Sequence, residues 1–283
     1  MDTTAADTGL ETPSGKGADD ENFPVGSWLL PKALRPHVAT FYAYARAIDD
    51  IADNPDLAAD DKIGRLDAFA NALQNGSNDP ALAKAEALRQ TLAATGITAK
   101  HGLDLISAFK QDAVKNRYES WAELVDYCDR SAAPVGRFLL DLHGEDKSLY
   151  AFSDALCNAL QVINHLQDCG KDYREMNRVY LPMAWIKGDN AGVEHLSRDA
   201  LSSALRRVLD RALERTRTLL AEARRLPANL RSRRLGAESA VILTIAERLT
   251  AKLGREDPLA RRVVLSKPVF AFTALRGLLG YWI

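Results

Sequence analysis

Apolar residues recur at helical spacing along almost the whole of the 283-residue chain. Long runs such as LSSALRRVLDRALERTRTLLAEARRL and AESAVILTIAERLTAKL are rich in strong helix formers. The sequence contains no alternating apolar and polar run joined to a hairpin turn. The pattern predicts an all-α protein of about eight to ten helices. One of them, around residues 149–175, should be unusually long.

Short runs of Gly, Pro, Asn and Asp separate the helical segments. They fall at residues 54–55, 75–80, 96, 144, 187–190 and 227. These runs are too short to be linkers, and no repeat of fixed period is found, so we expect one domain over residues 22–283. Residues 1–21 are polar and acidic and lack the apolar run of a secretory signal, so we expect a disordered tail.

Composition is that of an ordinary globular protein, with 47% hydrophobic and 27% charged residues. The formal net charge of −1 gives no global attraction to nucleic acid or to an anionic membrane, so any anion site must be local. Cys128, Cys157 and Cys169 match no metal-ligand spacing and are interpreted as reduced thiols of a cytoplasmic protein. No apolar run approaches the roughly 20 residues needed to span a bilayer.

The C-terminal segment, VVLSKPVFAFTALRGLLGYWI, is apolar but is interrupted by Lys267, Pro268 and Arg276. A last helix packed on the core is the favoured interpretation, because short apolar helical runs are usually core. A peripheral membrane contact is the alternative, since the stretch from Phe270 to Trp282 combines large apolar side chains with few charges.

Charged residues form a stripe in FYAYARAIDDIADNP, a segment that otherwise has the pattern of a buried helix. Tyr42, Arg46, Asp49 and Asp53 are offset by 4, 7 and 11 positions and therefore share one helix face. Asp50 lies about 100° round from Asp49, so we expect it outside the main site. Charges withdrawn from water need a partner, a metal ion or a wet cavity.

A second stripe lies in ALQVINHLQDCGKDYREMNRVYLP, where Gln161, Asn164, Asp168 and Asp172 are offset by 3, 7 and 11 positions. Carboxylates one helical turn apart repel each other, and divalent cations would relieve that repulsion. Mg²⁺ prefers oxygen ligands and commonly joins protein carboxylates to substrate phosphates. The two stripes together favour a diphosphate site with Mg²⁺, with Arg46 gripping the anion. The alternative is that both stripes are solvated helix surfaces.

These segments resemble the squalene and phytoene synthases, a family of all-α enzymes that act on prenyl diphosphates. FPVGSWLLP resembles the opening segment of the family and YAYARAIDDIAD its first aspartate-rich motif. YCDRSAAPVG resembles its tyrosine motif, and QVINHLQDCGKDYREMNRVYLP its second aspartate-rich motif. The resemblance covers nearly the whole chain after residue 21 and implies an isoprenoid synthase-type helical bundle around a central apolar cavity.

The resemblance also implies roles for individual residues. The residues that would bind Mg²⁺, and through it the diphosphate, are Asp49, Asp53, Asp168 and Asp172. Those that would contact the diphosphate directly are Arg46, Tyr42 and Asn164. Phe23 would line the apolar cavity. Tyr127 would handle a proton or stabilise positive charge, although without the resemblance it would be interpreted as a core tyrosine. Gln161 adds an amide to the same stripe. Gln167 is compatible with holding a water but is equally explained as a neutral residue that fills space. Arg178 is a weaker candidate for closing over the phosphate, since an arginine at a helix C-terminus also has an ordinary role towards the helix dipole.

Within the family, ENFPVGSWLLP and RYESWAELVDYCDRSAAPVG resemble the bacterial branch that forms hydroxysqualene in the hopanoid pathway. Squalene and phytoene synthases usually have Arg in place of Gln167 and V-A-G-x-V-G in place of residues 131–136. The resemblance implies that presqualene diphosphate is ionised and rearranged and that water captures the cation, with neighbouring squalene-pathway enzymes as partners. Head-to-head condensation of two prenyl diphosphates is the alternative, and a noncatalytic helical scaffold is a minor one.

Overall fold

Residues 10–11 and 29–282 are described by the structure, a computed structural model. Within these residues the chain forms twelve α-helices and three short 3-10 turns, with no β-strand beyond an isolated bridge between Arg117 and Val179. The prediction of an all-α protein is confirmed. The predicted N-terminal tail, apart from Leu10 and Glu11, and Phe23 lie outside the described residues.

The helices follow one another with short connections. They are α1 (Arg35–Asp53), α2 (Ala59–Asn75), α3 (Ala83–Thr95), α4 (Lys100–Val114), α5 (Trp121–Ser131), α6 (Ala133–Leu142), α7 (Tyr150–Met176), α8 (Met183–Gly188), α9 (Ser203–Ala223), α10 (Leu226–Asn229), α11 (Arg233–Leu253) and α12 (Lys267–Trp282). The helix α7 has 27 residues, as its uninterrupted periodicity predicted. The number of helices exceeds the prediction because α8 and α10 are single short turns.

Helix ends coincide with the breaks in the sequence pattern. Pro36 lies in the first turn of α1, where its missing N–H is not needed. The helix ends at Asp53, directly before Asn54, because a residue that precedes proline avoids the helical region. Gly96 caps α3 in the left-handed region at φ 70°.

The apolar faces of the helices meet in a core whose largest buried side chains are aromatic, including Tyr44, Phe69 and Phe138. The helices α6 and α7 pack especially closely against each other. A Cβ atom on Gly136 of α6 would lie 2.3 Å from Ser153 Oγ of α7, so only glycine permits this approach. The approach brings the YCDRSAAPVG segment directly against α7.

The helix α12 packs on α11 through one narrow face. Thr273 and Gly277 are buried there, and a Cβ atom on Gly277 would lie 2.8 Å from Thr244 Oγ1. Large apolar side chains on the rest of the helix are 51–68% exposed: Phe272, Leu275, Leu279 and Trp282. The favoured interpretation of the C-terminal segment, a last helix packed on the core, therefore holds only for the narrow face of α12. Much of the apolar surface of this helix faces outward. None of the helices within residues 29–282 is both long and apolar enough to cross a membrane.

Candidate active site

A cavity of about 780 Å³ lies between α1, α4, α5, α6, α7 and α11. On both α1 and α7 its lining changes from apolar to acidic towards the C-terminal end of the helix. The apolar residues are Val38, Phe41, Leu156 and Leu160, and the acidic ones are Asp49, Asp50, Asp53, Asp168, Asp172 and Glu175. Arg178, just beyond α7, donates Nη1 to Asp53 Oδ1 at 2.8 Å and so joins the two acidic ends. The cavity is thus amphiphilic along its length.

Most of the predicted site residues line this one cavity: Tyr42, Arg46, Asp49, Asp53, Tyr127, Gln161, Asn164, Asp168, Asp172 and Arg178. The placement of Asp50 outside the site was wrong. Asp50 lines the cavity and forms an ion pair with Arg46, because the face that α1 turns to the cavity is wider than one stripe.

Gln167 does not line the cavity. Its side chain is buried, and Nε2 donates to the backbone oxygen of Val263 at 2.5 Å, in the segment between α11 and α12. Of the two interpretations of Gln167, an amide that holds a water in the site or a neutral residue that fills space, this buried position outside the cavity favours the second. Gln167 lies about 100° round α7 from Asp168, on the side of the helix that contacts the segment between α11 and α12.

Two arginines hold the carboxylates of the first motif. Arg46 donates Nη1 to Asp49 Oδ2 at 2.8 Å and approaches Asp50 Oδ1 at 3.2 Å, whereas Arg178 binds Asp53. The pKa of Asp49 is raised to about 8, because desolvation and then the negative charge of Asp53 disfavour its ionised form. Negative charge in this part of the cavity is incompletely balanced.

In the second motif, Arg262 donates Nε and Nη2 to the two oxygens of Asp168 at 2.6 and 2.9 Å. Asp172 has no ion-pair partner among the residues the structure describes. Its pKa is raised to about 7 by desolvation and by the charges of Asp168 and Asp53. The sequence offered no signal for Arg262, which lies outside any helix in the segment between α11 and α12.

The donor set suits a hard cation, because several carboxylates lie around one cavity. Burial, and then repulsion among these carboxylates, raises the pKa values of Asp49 and Asp172. Within residues 29–282 no three acidic, histidine or cysteine side chains come close enough to form a metal site by themselves. This arrangement fits Mg²⁺, which usually takes one or two carboxylates and completes its shell with water and phosphate oxygens.

Tyr127 belongs to a buried polar cluster on the cavity wall. Its hydroxyl donates to Asp112 Oδ2 at 2.6 Å, and the hydroxyl of Tyr180 donates to Asp112 Oδ1 at 3.4 Å. Desolvation raises the pKa of Asp112 to about 7. Sequence reasoning missed Asp112, although it follows Leu105 and Phe109 on the apolar stripe of α4, where a carboxylate is unusual.

The turn after α7 is tied down on the outside of the bundle. Asn177 has a φ of 50° and turns the chain, and Arg117 donates Nη2 to its side-chain oxygen at 2.6 Å. The N–H of Val179 donates to the backbone oxygen of Asn116 at 2.9 Å. These contacts fix Arg178 in the site; it is 5% exposed.

An all-α bundle around a cavity with two aspartate-rich helices is the isoprenoid synthase fold. A family model described as squalene/phytoene synthase matches residues 17–269. The chain therefore belongs to the squalene/phytoene synthase family.

Individual relatives agree with this assignment. The chain is 45% identical over 269 residues to a hydroxysqualene synthase of Zymomonas mobilis subsp. mobilis, covering 93% of this chain and 90% of that protein. It is 46% identical over 260 residues to a hydroxysqualene synthase of Rhodopseudomonas palustris, covering 92% and 88%. A squalene synthase structure from Alicyclobacillus acidocaldarius is 32% identical with a TM-score of 0.72, covering 82% and 87%. A dehydrosqualene synthase structure, 19% identical with a TM-score of 0.76 and coverage of 93% and 92%, supports the fold alone.

Proposed function

We propose that this protein is a Mg²⁺-dependent hydroxysqualene synthase, which converts presqualene diphosphate and water to hydroxysqualene and diphosphate in squalene and hopanoid biosynthesis. The amphiphilic cavity carries the proposal, because its acidic, arginine-bearing part suits a diphosphate and its apolar part suits a long hydrocarbon. The two hydroxysqualene synthases that cover about nine-tenths of the chain support this branch of the family.

The reaction begins with loss of diphosphate. Arg46 and Arg178 already contact carboxylates of the first motif, and their guanidinium groups would donate hydrogen bonds to the departing anion. Asp49, Asp53, Asp168 and Asp172 would hold Mg²⁺ together with water and diphosphate oxygens. Bound there, the metal would supply positive charge that stabilises the leaving group.

The apolar part of the cavity protects the carbocation that remains. Phe41 and Phe138 stack with ring centroids 4.2 Å apart, and both line the cavity with Tyr127. Aromatic ring faces favour positive charge, and the apolar walls keep bulk water away. Capture of the rearranged cation then depends on water held at one position.

Incubation with Mg²⁺ and presqualene diphosphate in ¹⁸O-labelled water tests the proposal. We expect an alcohol that carries the label, formed without NADPH, and we expect EDTA to stop the reaction without unfolding the protein. An unlabelled alcohol would exclude capture of solvent water. Efficient consumption of farnesyl diphosphate alone, or squalene formed only with NADPH, would favour the condensing synthases. Failure to consume either diphosphate would favour a noncatalytic scaffold.

We also propose that the protein is cytoplasmic and makes a reversible contact with the membrane through the exposed apolar face of α12. Cys128, Cys157 and Cys169 are free thiols, as expected for a reducing compartment. A long hydrocarbon substrate and product dissolve poorly in water, so a membrane is the natural place to exchange them with neighbouring enzymes of the pathway. The exposed side chains of Phe272 and Leu279 support this contact.

A further inference from the structure

His165 lines the cavity but takes part in none of the contacts described so far. It lies on α7 directly after Asn164 and three residues before Asp168. The side chain is nine-tenths buried, and Nε2 has no hydrogen-bond partner among the described residues. Nε2 itself is shielded from solvent, but the side chain keeps a small exposed part on the cavity wall. Buried polar atoms are normally satisfied, so an imidazole in this position is a group that water or a substrate group is expected to contact.

The position of the His165 ring is fixed by aromatic neighbours. It stacks on Tyr180 with ring centroids 3.5 Å apart and an interplanar angle of 14°. The ring of Tyr127 is 6.1 Å away on the same wall. The imidazole is thus held between the rings of Tyr127 and Tyr180 and the acidic motif of α7. In the proposed reaction both the departing diphosphate and the carbocation would lie near this position.

The surroundings of His165 also set its protonation state. Burial, and then the positive charge of Arg178, lower the pKa of His165 to about 3. The imidazole is therefore neutral, with one nitrogen able to donate a hydrogen bond and the other able to accept one. The amides of Gln161 and Asn164 also line the cavity, but an amide accepts a proton far less readily.

Resting on the proposed function, we propose that His165 holds the water that attacks the allylic cation and accepts the proton that this water releases. The water oxygen donates a lone pair to the carbon and forms the new C–O bond. One O–H bond breaks, its electrons stay on oxygen, and the proton passes to the imidazole nitrogen. The imidazolium then returns this proton to the diphosphate that has already departed, and no further reactant is needed.

The experiment compares wild type with His165→Phe, which keeps the ring stacked on Tyr180 but removes both nitrogens. Presqualene diphosphate and Mg²⁺ are supplied, and diphosphate release and organic products are measured in the same samples. We expect diphosphate release within about threefold of wild type, while the alcohol fraction of the products falls about tenfold or more and hydrocarbon replaces it. His165→Asn, which can still bind water, should give an intermediate alcohol fraction.

His143→Gln is the matched control. His143 also has a buried Nε2 without a partner among the described residues, but it does not line the cavity. The control should leave the alcohol fraction unchanged. An unchanged alcohol fraction in both His165 variants would overturn the inference, as would equal losses in the His143 variant.

Two further outcomes are distinguishable. If wild type itself makes no alcohol from presqualene diphosphate, the proposed function fails, whatever the variants do. If wild type makes the alcohol but folded His165→Phe loses diphosphate release and alcohol in parallel, the residue serves ionisation and the water-holding role is wrong. Circular dichroism establishes folding, and His165→Asn decides the question if the phenylalanine variant is unfolded.

Discussion

Arg262 and Asp168 form a bidentate ion pair, with the guanidinium Nε and Nη2 atoms 2.6 and 2.9 Å from the two carboxylate oxygens. Asp168 is a proposed metal ligand on α7, whereas Arg262 lies in the segment that leads into α12. Both oxygens accept a hydrogen bond from the guanidinium group, so a cation at Asp168 would share the negative charge of this carboxylate with Arg262. Arg262 and a cation would therefore compete for the negative charge of Asp168.

We predict that Arg262→Gln makes Mg²⁺ bind more tightly in the absence of diphosphate. Both partners are partly exposed, so the ion pair contributes only about 0.5–1 kcal/mol, and its loss corresponds to a gain of about two- to fivefold in affinity. Isothermal titration calorimetry with Mg²⁺ measures the change.

The neighbouring Arg261 supplies a control for this measurement, since it is exposed and pairs with Glu256 instead. Arg261→Gln removes the same formal charge without touching Asp168 and should change the Mg²⁺ affinity less. Equal effects of the two substitutions would mean that only the general charge of the protein matters, and weaker binding in Arg262→Gln would contradict the competition.

Loss of one carboxylate from the first motif should abolish turnover and leave the fold intact. We expect Asp49→Asn to slow diphosphate release on the order of 100-fold or more, because the departing anion loses part of its stabilisation. Circular dichroism should match that of wild type. Asp67→Asn, a substitution at an exposed position of α2, is the control. Wild-type rates for Asp49→Asn at limiting Mg²⁺ would remove this residue from the site.

Asp112 makes stability depend on pH. Its pKa is about 7 in the folded protein and about 4 when unfolded, so folding takes up a proton between these values. The folded state therefore loses stability as pH rises from about 4 to 7, and Asp112→Asn should remove that part of the loss. From pH 5 to 7.5, wild type should lose on the order of 2 kcal/mol more than the variant. Urea unfolding of both proteins at each pH measures the free energy of unfolding.

The exposed residue Asp199 provides the comparison for this pH series. Asp199→Asn should keep the wild-type dependence of the unfolding free energy on pH. Parallel curves for wild type and Asp112→Asn would contradict the raised pKa of the buried carboxylate.

Local patterns predicted the helices because periodicity, proline and glycine act within a few residues. The helix α7 and the end of α1 before Asn54 are examples. The same rules placed Asp49 and Asp53 on one face, but not Asp50, since the width of a buried face depends on what packs against it. Asp50 contacts the same arginine as Asp49.

Local sequence patterns could not predict the contacts that non-helical segments make with distant helices. Arg262 reaches Asp168 and Val263 accepts a hydrogen bond from Gln167, and both partners lie in one irregular segment far along the chain. The sequence left Gln167 either holding a water in the site or filling space, and only its contact with Val263 favours the second interpretation. Asp112 could have been found, since a carboxylate on the apolar stripe of α4 needs an explanation.

The exposed face of α12 should bind membranes that contain anionic lipid. Phe272, Leu275, Leu279 and Trp282 are half exposed or more, and arginines line the neighbouring groove between α11 and α12: Arg224, Arg231, Arg233, Arg248 and Arg276. Apolar side chains beside basic ones suit the boundary between lipid headgroups and acyl chains. We expect the protein to sediment with vesicles that contain phosphatidylglycerol, more strongly at low salt.

Replacing two of these apolar side chains tests the contact. Because burial of one such side chain contributes about 1.5–3 kcal/mol, Phe272→Ser combined with Leu279→Ser should weaken vesicle binding on the order of tenfold or more. Val114→Ser, at an apolar position of α4 that is 66% exposed, should leave binding unchanged. Turnover of a detergent-dispersed substrate should also stay the same, because α12 packs on α11 and does not line the cavity. Equal sedimentation of the double variant and wild type would show that α12 is not the membrane-binding face.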